Sequence, residues 1–445
     1  MRFAEALAEL DARQPEHLPE PSLDRIRQIA SLLDDPQLRY PTIHVTGTNG
    51  KTTTARVAAA IACAHGLPTG LYTSPHLLSV TERIQLCGDP IAEGEFGEEY
   101  GHLLPFLRTV DPLGEVRVTY FEALTALAYL WFADKPVSLA VFEVGMGGTW
   151  DATNLVAGDV AVLCPIALDH PELGSTVEEV ATEKAGIIKP GKTAVVREQR
   201  PEALAVVEAR CREYEVRMLL EGRDFELASR APAVGGQRLS VRAPQGTYED
   251  LSLPLFGGHA AASAAAAIVA VEAFLQRPLD EGALASAIGS MTSPGRLEVV
   301  GRHPLVVLDG AHNPAAAEAL ATALPEAFTW GRLHLVLAVF SNKDLAGIVR
   351  AIAPLADRAY GATTRSVRAR PVEEILAALA AEEVSAGGYG SVAEALAAAR
   401  ADASPDDLIL VTGSLYTVAD ARRAIGDAGP AEASGSASER EDPRT

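Results

Sequence analysis

The residues best suited to chemistry in this chain stand side by side in Gly47-Thr48-Asn49-Gly50-Lys51-Thr52. Glycines let a backbone curl until its N–H groups face phosphate oxygens. A lysine adds a point charge, and the hydroxyl that follows is placed to ligate Mg²⁺. The strict phosphate-loop pattern puts a glycine five residues before Gly50, where this chain has Val45, so the loop is a shortened variant. The plainer reading of the same letters is a glycine turn that caps a helix.

A Mg²⁺–nucleotide site needs hard oxygen ligands close to the phosphates. Glu143 ends the apolar run LAVFEV just ahead of Gly145-Met146-Gly147-Gly148. A carboxylate at the carboxyl end of a buried parallel strand lies where such sheets bind ligands; the alternative is a solvated glutamate at a strand end. Asp169-His170 closes a second apolar run, VAVLCPIALDH, where a structural histidine is an equal reading. In ATEKAGIIKPG, Lys184 reads by itself as an exposed lysine on a helix.

These groups need a scaffold. TIHV (42–45) is short, β-branched and apolar; it runs into the glycine loop, and helix-forming ARVAAAIACAH follows, which is the opening of an α/β unit. Leu139–Val144, Val160–Cys164 and Thr193–Val196 read as further buried strands separated by helical segments, so a parallel sheet covered on both faces is expected. Residues 231–254, with Gly235-Gly236 and alternating LSVRAP and LSLPL, read as an antiparallel hairpin or sheet extension, and an alanine-rich helix is expected over 260–275. A second α/β alternation starts near residue 304, with strands at Leu305–Asp309, His334–Val339, Arg358–Gly361 and Leu408–Thr412. The SPGR turn at 293–296 divides a domain over 1–295 from a smaller one over 296–425, and the small, polar residues 426–445 read as a disordered tail.

A net charge of −21 without any basic cluster excludes an electrostatic nucleic-acid binder, and leaves backbone amides, a few cations and a metal to hold anionic ligands. The N-terminus lacks a signal-peptide pattern and no uninterrupted apolar run reaches about 18 residues, so no membrane segment is expected and the cytoplasm is the default. Cys63, Cys87, Cys164 and Cys211 show no CxxC pair and read as reduced thiols.

TIHVTGTNGKTTT, YTSPHLLSVTERI, FEALTALAY, EVGMGGTWDATN, DHPELGSTVEEVATEKAGIIKPG, SPGRLE, DGAHNP and VTGSLYTVADAR occur in order along the chain. Together they closely resemble the folylpolyglutamate synthase/dihydrofolate synthase family of the Mur ligase superfamily, with SPHL and DGAHNP the letters most specific to the folate branch. The resemblance implies an α/β fold: a Mur-ligase-type P-loop ATPase domain followed by a smaller Rossmann-like domain. It implies ATP and Mg²⁺ as cofactors, with ATP on Gly47, Asn49, Gly50, Lys51, Thr52, Thr53, Ser263, Arg296, Asp309 and His312. Metal would be held by Thr52, Ser74, Glu143, His170 and Lys184, the last carried as a carbamate; Lys51, Lys184 and His170 would be catalytic. Thr119, Tyr120, Phe121, Glu122, Trp150, Asp151 and Ala152 would face a pterin-bearing acceptor.

The implied activity is ligation of L-glutamate to folates, to dihydropteroate, or to both, through an acyl phosphate, by a monomer with small-molecule partners alone. Some positions depart from the family pattern. Thr149 stands where arginine is usual, Ala260 and Ser263 replace Gln and Asn in the helix-start motif, and the segment between Asp169 and Gly174 is one residue short. Two alternatives follow from these departures: a paralogous ligase acting on another carboxylate, and a non-catalytic nucleotide-binding module. A peptidoglycan-precursor Mur ligase fits poorly, because only 46 residues precede Gly47.

Overall fold

The computed structural model describes residues 1–16, 22–169 and 171–427. The chain forms two compact units: Met1–Pro294 with Ala319–Phe328, and Gly295–Glu318 with the residues from Thr329 onward.

The first unit is built on an eight-stranded sheet. Its strands are β1 (Thr42–Thr46), β2 (Thr69–Tyr72), β3 (Ile84–Leu86), β4 (Asp89–Pro90), β5 (Leu139–Glu143), β6 (Val160–Leu163), β7 (Thr193–Val196) and β8 (Arg217–Leu220), in the order β4-β3-β2-β5-β1-β6-β7-β8. All neighbours pair in parallel except β2–β3 and β3–β4. β1 is buried along its whole length and lies between β5 and β6, with Val45 in register with Glu143 and Val162. After β1 the chain turns toward β2 on one side, and after β6 toward β7 on the other. Connections that diverge in this way leave a crevice at the carboxyl ends of the strands.

Both faces of the sheet are covered. On one, the alanine-rich helix Gly258–Leu275 packs on the helix Lys51–Ala64, with Ala261, Ala264, Ala265 and Ile268 buried against Ile43, Val45 and Val162. Methyl-sized side chains let the two helices lie close. The helix Gly258–Leu275 is long and apolar enough to cross a membrane, and its burial in this core accounts for that composition. On the other face, helices Glu93–Val110 and Tyr120–Asp134 bury an aromatic cluster in which the Phe142 ring meets Tyr72, Tyr129 and Phe132. Burying such a ring contributes about 2–3 kcal/mol and anchors the strand end that carries Glu143.

Residues 226–253 form a separate antiparallel sheet of β9 (Glu226–Ala233), β10 (Gly236–Arg242) and β11 (Thr247–Leu253). The second unit carries β12 (Glu298–Arg302), β13 (Leu305–Leu308), β14 (Leu333–Leu337), β15 (Arg358–Ala362), β16 (Ala386–Tyr389) and β17 (Leu408–Thr412), ordered β12-β13-β17-β14-β15-β16 and parallel but for β12. Its last helix ends at Asp427, and the rest of the expected tail lies outside the described residues.

The expectation of four reduced cysteines is overturned. Cys63, in the last turn of the helix Lys51–Ala64, is bonded to Cys87 in the turn after β3, with Cα atoms 5.7 Å apart, while Cys164 and Cys211 are free and buried. Helix end and turn are 24 residues apart in sequence, so only the fold reveals their meeting.

Candidate functional site

The shortened loop folds as a phosphate cradle would. Gly47 has φ +143° and lies so close to β6 that a Cβ there would sit 2.5 Å from the Cβ of Cys164. Gly50 precedes the helix Lys51–Ala64 with φ +88°, in the left-handed region that L side chains avoid. Three bonds lash the loop to the strand end beside it: Thr48 N–H donates to the Pro165 carbonyl (2.9 Å), Thr48 Oγ1 donates to that of Ala167 (2.8 Å), and Ala167 N–H donates back to Thr48 Oγ1 (2.9 Å). The result is a helix N-terminus whose first amides and dipole favour an anion.

Around it converge groups from distant parts of the sequence. Thr52 Oγ1 donates to Glu143 Oε1 at 2.7 Å, and Ser74 N–H donates to Glu143 Oε2 at 3.3 Å. Three of the expected metal ligands therefore meet. Glu143 is 1% exposed, a buried carboxylate fixed by β5. Lys51 Nζ donates to the Gly47 carbonyl at 3.0 Å, and Lys184 Nζ reaches the same oxygen at 3.0 Å.

Lys184 is not the exposed helix lysine that its local sequence suggests. It ends the helix Val177–Lys184, which is started by a Thr176–Glu179 capping box, and is 4% exposed. Burial, reinforced by the nearby Lys51 charge, lowers its pKa to about 7.

The residues expected on the acceptor are held differently. Thr119 and Glu122 form a capping box for the helix Tyr120–Asp134, and Glu122 also pairs with Arg25 at 2.9 Å. Tyr120 lies 5.5 Å from the guanidinium of Arg83, which is buried, ion-paired with Glu16 and donates to His76 Nδ1 of the SPHL segment (2.9 Å). The Phe121 ring covers Gly145, where a Cβ would approach within 2.6 Å.

Asp151 is buried and accepts from Met146 N–H (2.9 Å), Thr153 N–H (2.9 Å) and Thr153 Oγ1 (2.6 Å). Burial pushes its carboxyl above the usual range, against the pull of those bonds. The Ala152 carbonyl accepts from Tyr129 OH at 2.7 Å. Trp150 is half-buried, and Thr149 is exposed with its hydroxyl on the Glu183 carbonyl at 3.0 Å.

Ser263 is 2% exposed and donates its hydroxyl to the His259 carbonyl (2.8 Å), directly behind Gly50. Asn49 is half-buried in the loop and Thr53 is buried in the first helical turn. In the second unit, Asp309 accepts from Leu297 N–H and Ala311 N–H, both at 2.8 Å, while the Arg296 guanidinium lies over Gly310 and His312 Nδ1 contacts the Gly310 carbonyl at 2.9 Å. His170 falls outside the described residues. Among the described residues, no three His, Cys, Asp or Glu side chains converge as for a transition-metal centre. The oxygen donors Thr52, Ser74 and Glu143 suit Mg²⁺ completed by phosphate and water.

Sequence reasoning passed over Arg83, His44 and Glu183, all of which organise this region. His44, on β1, meets Thr153 Oγ1 at 2.8 Å. No local signal singles out these three, because each contacts segments far away in sequence.

A family model of the Mur ligase middle domain matches residues 45–271, and one of the Mur ligase glutamate ligase domain matches residues 295–415. The dihydrofolate synthase/folylpolyglutamate synthase of Mycobacterium tuberculosis is 40% identical over 452 residues, covering 94% of this chain and 92% of that protein. The solved structure of Mycobacterium tuberculosis folylpolyglutamate synthase complexed with ADP superposes with a TM-score of 0.91 at 37% identity, over 95% of this chain and 98% of that one. Escherichia coli FolC in complex with DHPP and ADP gives 0.86 at 32%, over 96% and 98%.

Proposed function

The chain belongs to the Mur ligase superfamily, in its folylpolyglutamate synthase/dihydrofolate synthase branch, and on that premise we propose that it joins L-glutamate to a carboxylate of folate or dihydropteroate. ATP's γ-phosphoryl group passes to the acceptor carboxylate, the glutamate amine attacks the acyl phosphate, and the tetrahedral intermediate collapses to amide and phosphate, with ADP released. The observation that carries this reading is the 2.7 Å meeting of the Thr52 hydroxyl with the Glu143 carboxylate beside the glycine loop. A buried carboxylate at that point has oxygen donors for Mg²⁺ as its neighbours, in Thr52 and Ser74. When bound, the ion neutralises charge that builds on the transferring phosphoryl group.

Lys51 is assigned to the β- and γ-phosphates, with Gly47, Asn49, Gly50 and Thr53 beside it on the same loop and helix start. Ser263 serves the loop from behind, by backing Gly50. An amine brought to a pKa of about 7 is largely neutral at physiological pH and nucleophilic toward CO₂, which supports Lys184 as the carbamate-bearing lysine. His170, outside the described residues, keeps the metal-ligand role that the family resemblance implies. On the acceptor side, the Tyr120, Phe121 and Trp150 rings supply the surface for the pterin, while Thr119, Glu122, Asp151 and Ala152 hold those rings in place. The protein acts as a cytoplasmic monomer.

The test is ADP release by the purified protein with Mg-ATP and glutamate, run in parallel with dihydropteroate, tetrahydrofolate and no acceptor. Acceptor-dependent release with a product heavier by one glutamyl unit supports the reading and says which activity is present. ATP binding without release on either acceptor overturns it in favour of a ligase for another carboxylate, with exposed Thr149 the first residue to examine.

A further inference from the structure

The loop that follows Glu143 carries Trp150 but has little regular structure of its own, so something outside it must fix its course. Its near end is tied to the phosphate-loop strand, where Thr46 Oγ1 donates to the Gly147 carbonyl at 2.8 Å. Its far end is tied by Asp151. The middle is held at the Thr149 carbonyl by Asn154 Nδ2, which donates at 2.9 Å, and at its amides by a neighbouring helix. Glu183 Oε1 accepts from Gly148 N–H at 3.2 Å and from Trp150 N–H at 3.3 Å.

The Glu183 backbone carbonyl, an orphan of the last helical turn, accepts from both the N–H and the hydroxyl of Thr149 at 3.0 Å. The approach is close: a Cβ on Gly147 would come within 2.9 Å of Glu183 Oε1, and one on Gly148 within 2.8 Å of the Glu183 and Lys184 carbonyl oxygens. The helix beneath is itself anchored by buried Val180 and Ala181.

We infer that Glu183 is a positioning residue for the acceptor, setting the Gly147–Trp150 loop through the two amide hydrogen bonds its side chain accepts. The inference rests on the proposed contact of Trp150 with the acceptor. It gives one helical turn two duties: its last residue supplies the buried amine at the phosphate loop, and the residue before it orients the loop that faces the other substrate. What the loop needs from position 183 is a carbonyl-type oxygen at glutamate's reach. Thr149 keeps the loop attached when that oxygen is lost, so the effect falls on acceptor binding, not on folding.

Two variants separate reach from charge. Glu183→Asp keeps the charge and withdraws the oxygen by one methylene; Glu183→Gln keeps an accepting oxygen at full reach and removes the charge. Steady-state kinetics of the full chain, varying acceptor and ATP separately, should show the acceptor KM of E183D raised on the order of tenfold, with the ATP KM within about twofold. The acceptor KM of E183Q should stay within about threefold of the parent, since it loses only the charge-assisted part of the bonds. An unchanged acceptor KM in E183D overturns the inference. So does an equal rise of both KM values, which reports damage to the helix end, or an E183Q as impaired as E183D, which reports a need for charge. Failure of the parent protein to release ADP with either pterin acceptor would instead strike the functional reading on which this one stands.

Discussion

The phosphate loop with Glu143, and the segments Thr119–Glu122 and Trp150–Ala152, all belong to the first unit, yet their polar residues are held in opposite ways. Beside the loop, Lys51 and Lys184 direct two amines at one carbonyl, that of Gly47, and Thr52 leans on a buried carboxylate. These are thin arrangements that concentrate charge in a desolvated place. Across from them, Asp151 accepts three bonds and Glu122 is held by Thr119 and Arg25. The difference teaches that motif letters fall into two kinds. Some stand ready for a ligand and contribute little to the fold or oppose it; others build the backbone that carries the ligand-facing groups.

The sharpest way to break that contrast is Lys51→Ala. A group that acts only on transferring phosphate should lower kcat by about 10³-fold when removed, with the melting temperature within about 2 °C of the parent. Turnover within about tenfold of the parent would remove Lys51 from the phosphates.

Lys184→Met comes next, because its two effects should have opposite signs. Its folded pKa is about 7 against 10.5 for an ordinary lysine, so below pH 7 both folded and unfolded chains carry the proton and the full burial penalty is present. As pH rises from 7 toward 10.5 only the unfolded chain keeps that proton, and the penalty fades. In CO₂-free buffer the Met variant should be more stable than the parent by about 3 kcal/mol at pH 6.5, with the gain shrinking steadily toward pH 10, while ligase activity falls. Urea midpoints at four pH values measure it; a destabilised Met variant at pH 6.5 would mean the amine contributes to the fold after all.

How far the sequence discloses this contrast differs by residue. β1, β5, β6 and β7 are legible because strands buried on both faces are short apolar runs, and the glycine loop is legible because its chemistry is local. β2 (TGLY), β16 (AGGY) and the exposed β9 carry too little apolar pattern to stand out, and β8 (RMLL) is a four-residue run at the sheet edge. The hairpin expected over 231–254 is accordingly a three-stranded sheet that begins at Glu226. Lys184 illustrates the harder limit. Its own helix looks solvated, and what buries it is a loop 137 residues earlier in the chain. Among the described residues the same holds for Cys63 with Cys87 and for the hold of Glu183 on Gly148: contacts made by tertiary structure leave no period in the sequence.

Asp151 tests the other half of the comparison. Replacing it by alanine strands the N–H groups of Met146 and Thr153 without their acceptor, and should lower stability by about 2–3 kcal/mol. Thermal melts and urea titrations would read the loss. A melting temperature unchanged in Asp151→Ala would move Asp151 from the backbone-holding group to the ligand-facing one.

The smallest expected effect reaches deepest into the acceptor side, at His44. The Thr153 hydroxyl has one proton and gives it to Asp151 Oδ1 at 2.6 Å, so toward His44 Nε2, 2.8 Å away, it can only accept. His44 therefore carries its proton on Nε2, and its Nδ1 is buried without a hydrogen-bond partner among the described residues. Charging the ring would place a second N–H where nothing accepts it, and burial, aided by the Lys189 charge, holds its pKa well below the usual 6.5. The unfolded chain takes up that proton at a higher pH than the folded chain does, so stability should fall as pH drops through 6.5. His44→Gln retains a donor toward Thr153 and cannot titrate. As pH drops through 6.5 its stability should decline less steeply than the parent's, read from urea midpoints on either side of that pH. Parallel declines would mean that the ring charges in place, and that the core beneath the acceptor loop is wetter than the packing around His44 implies.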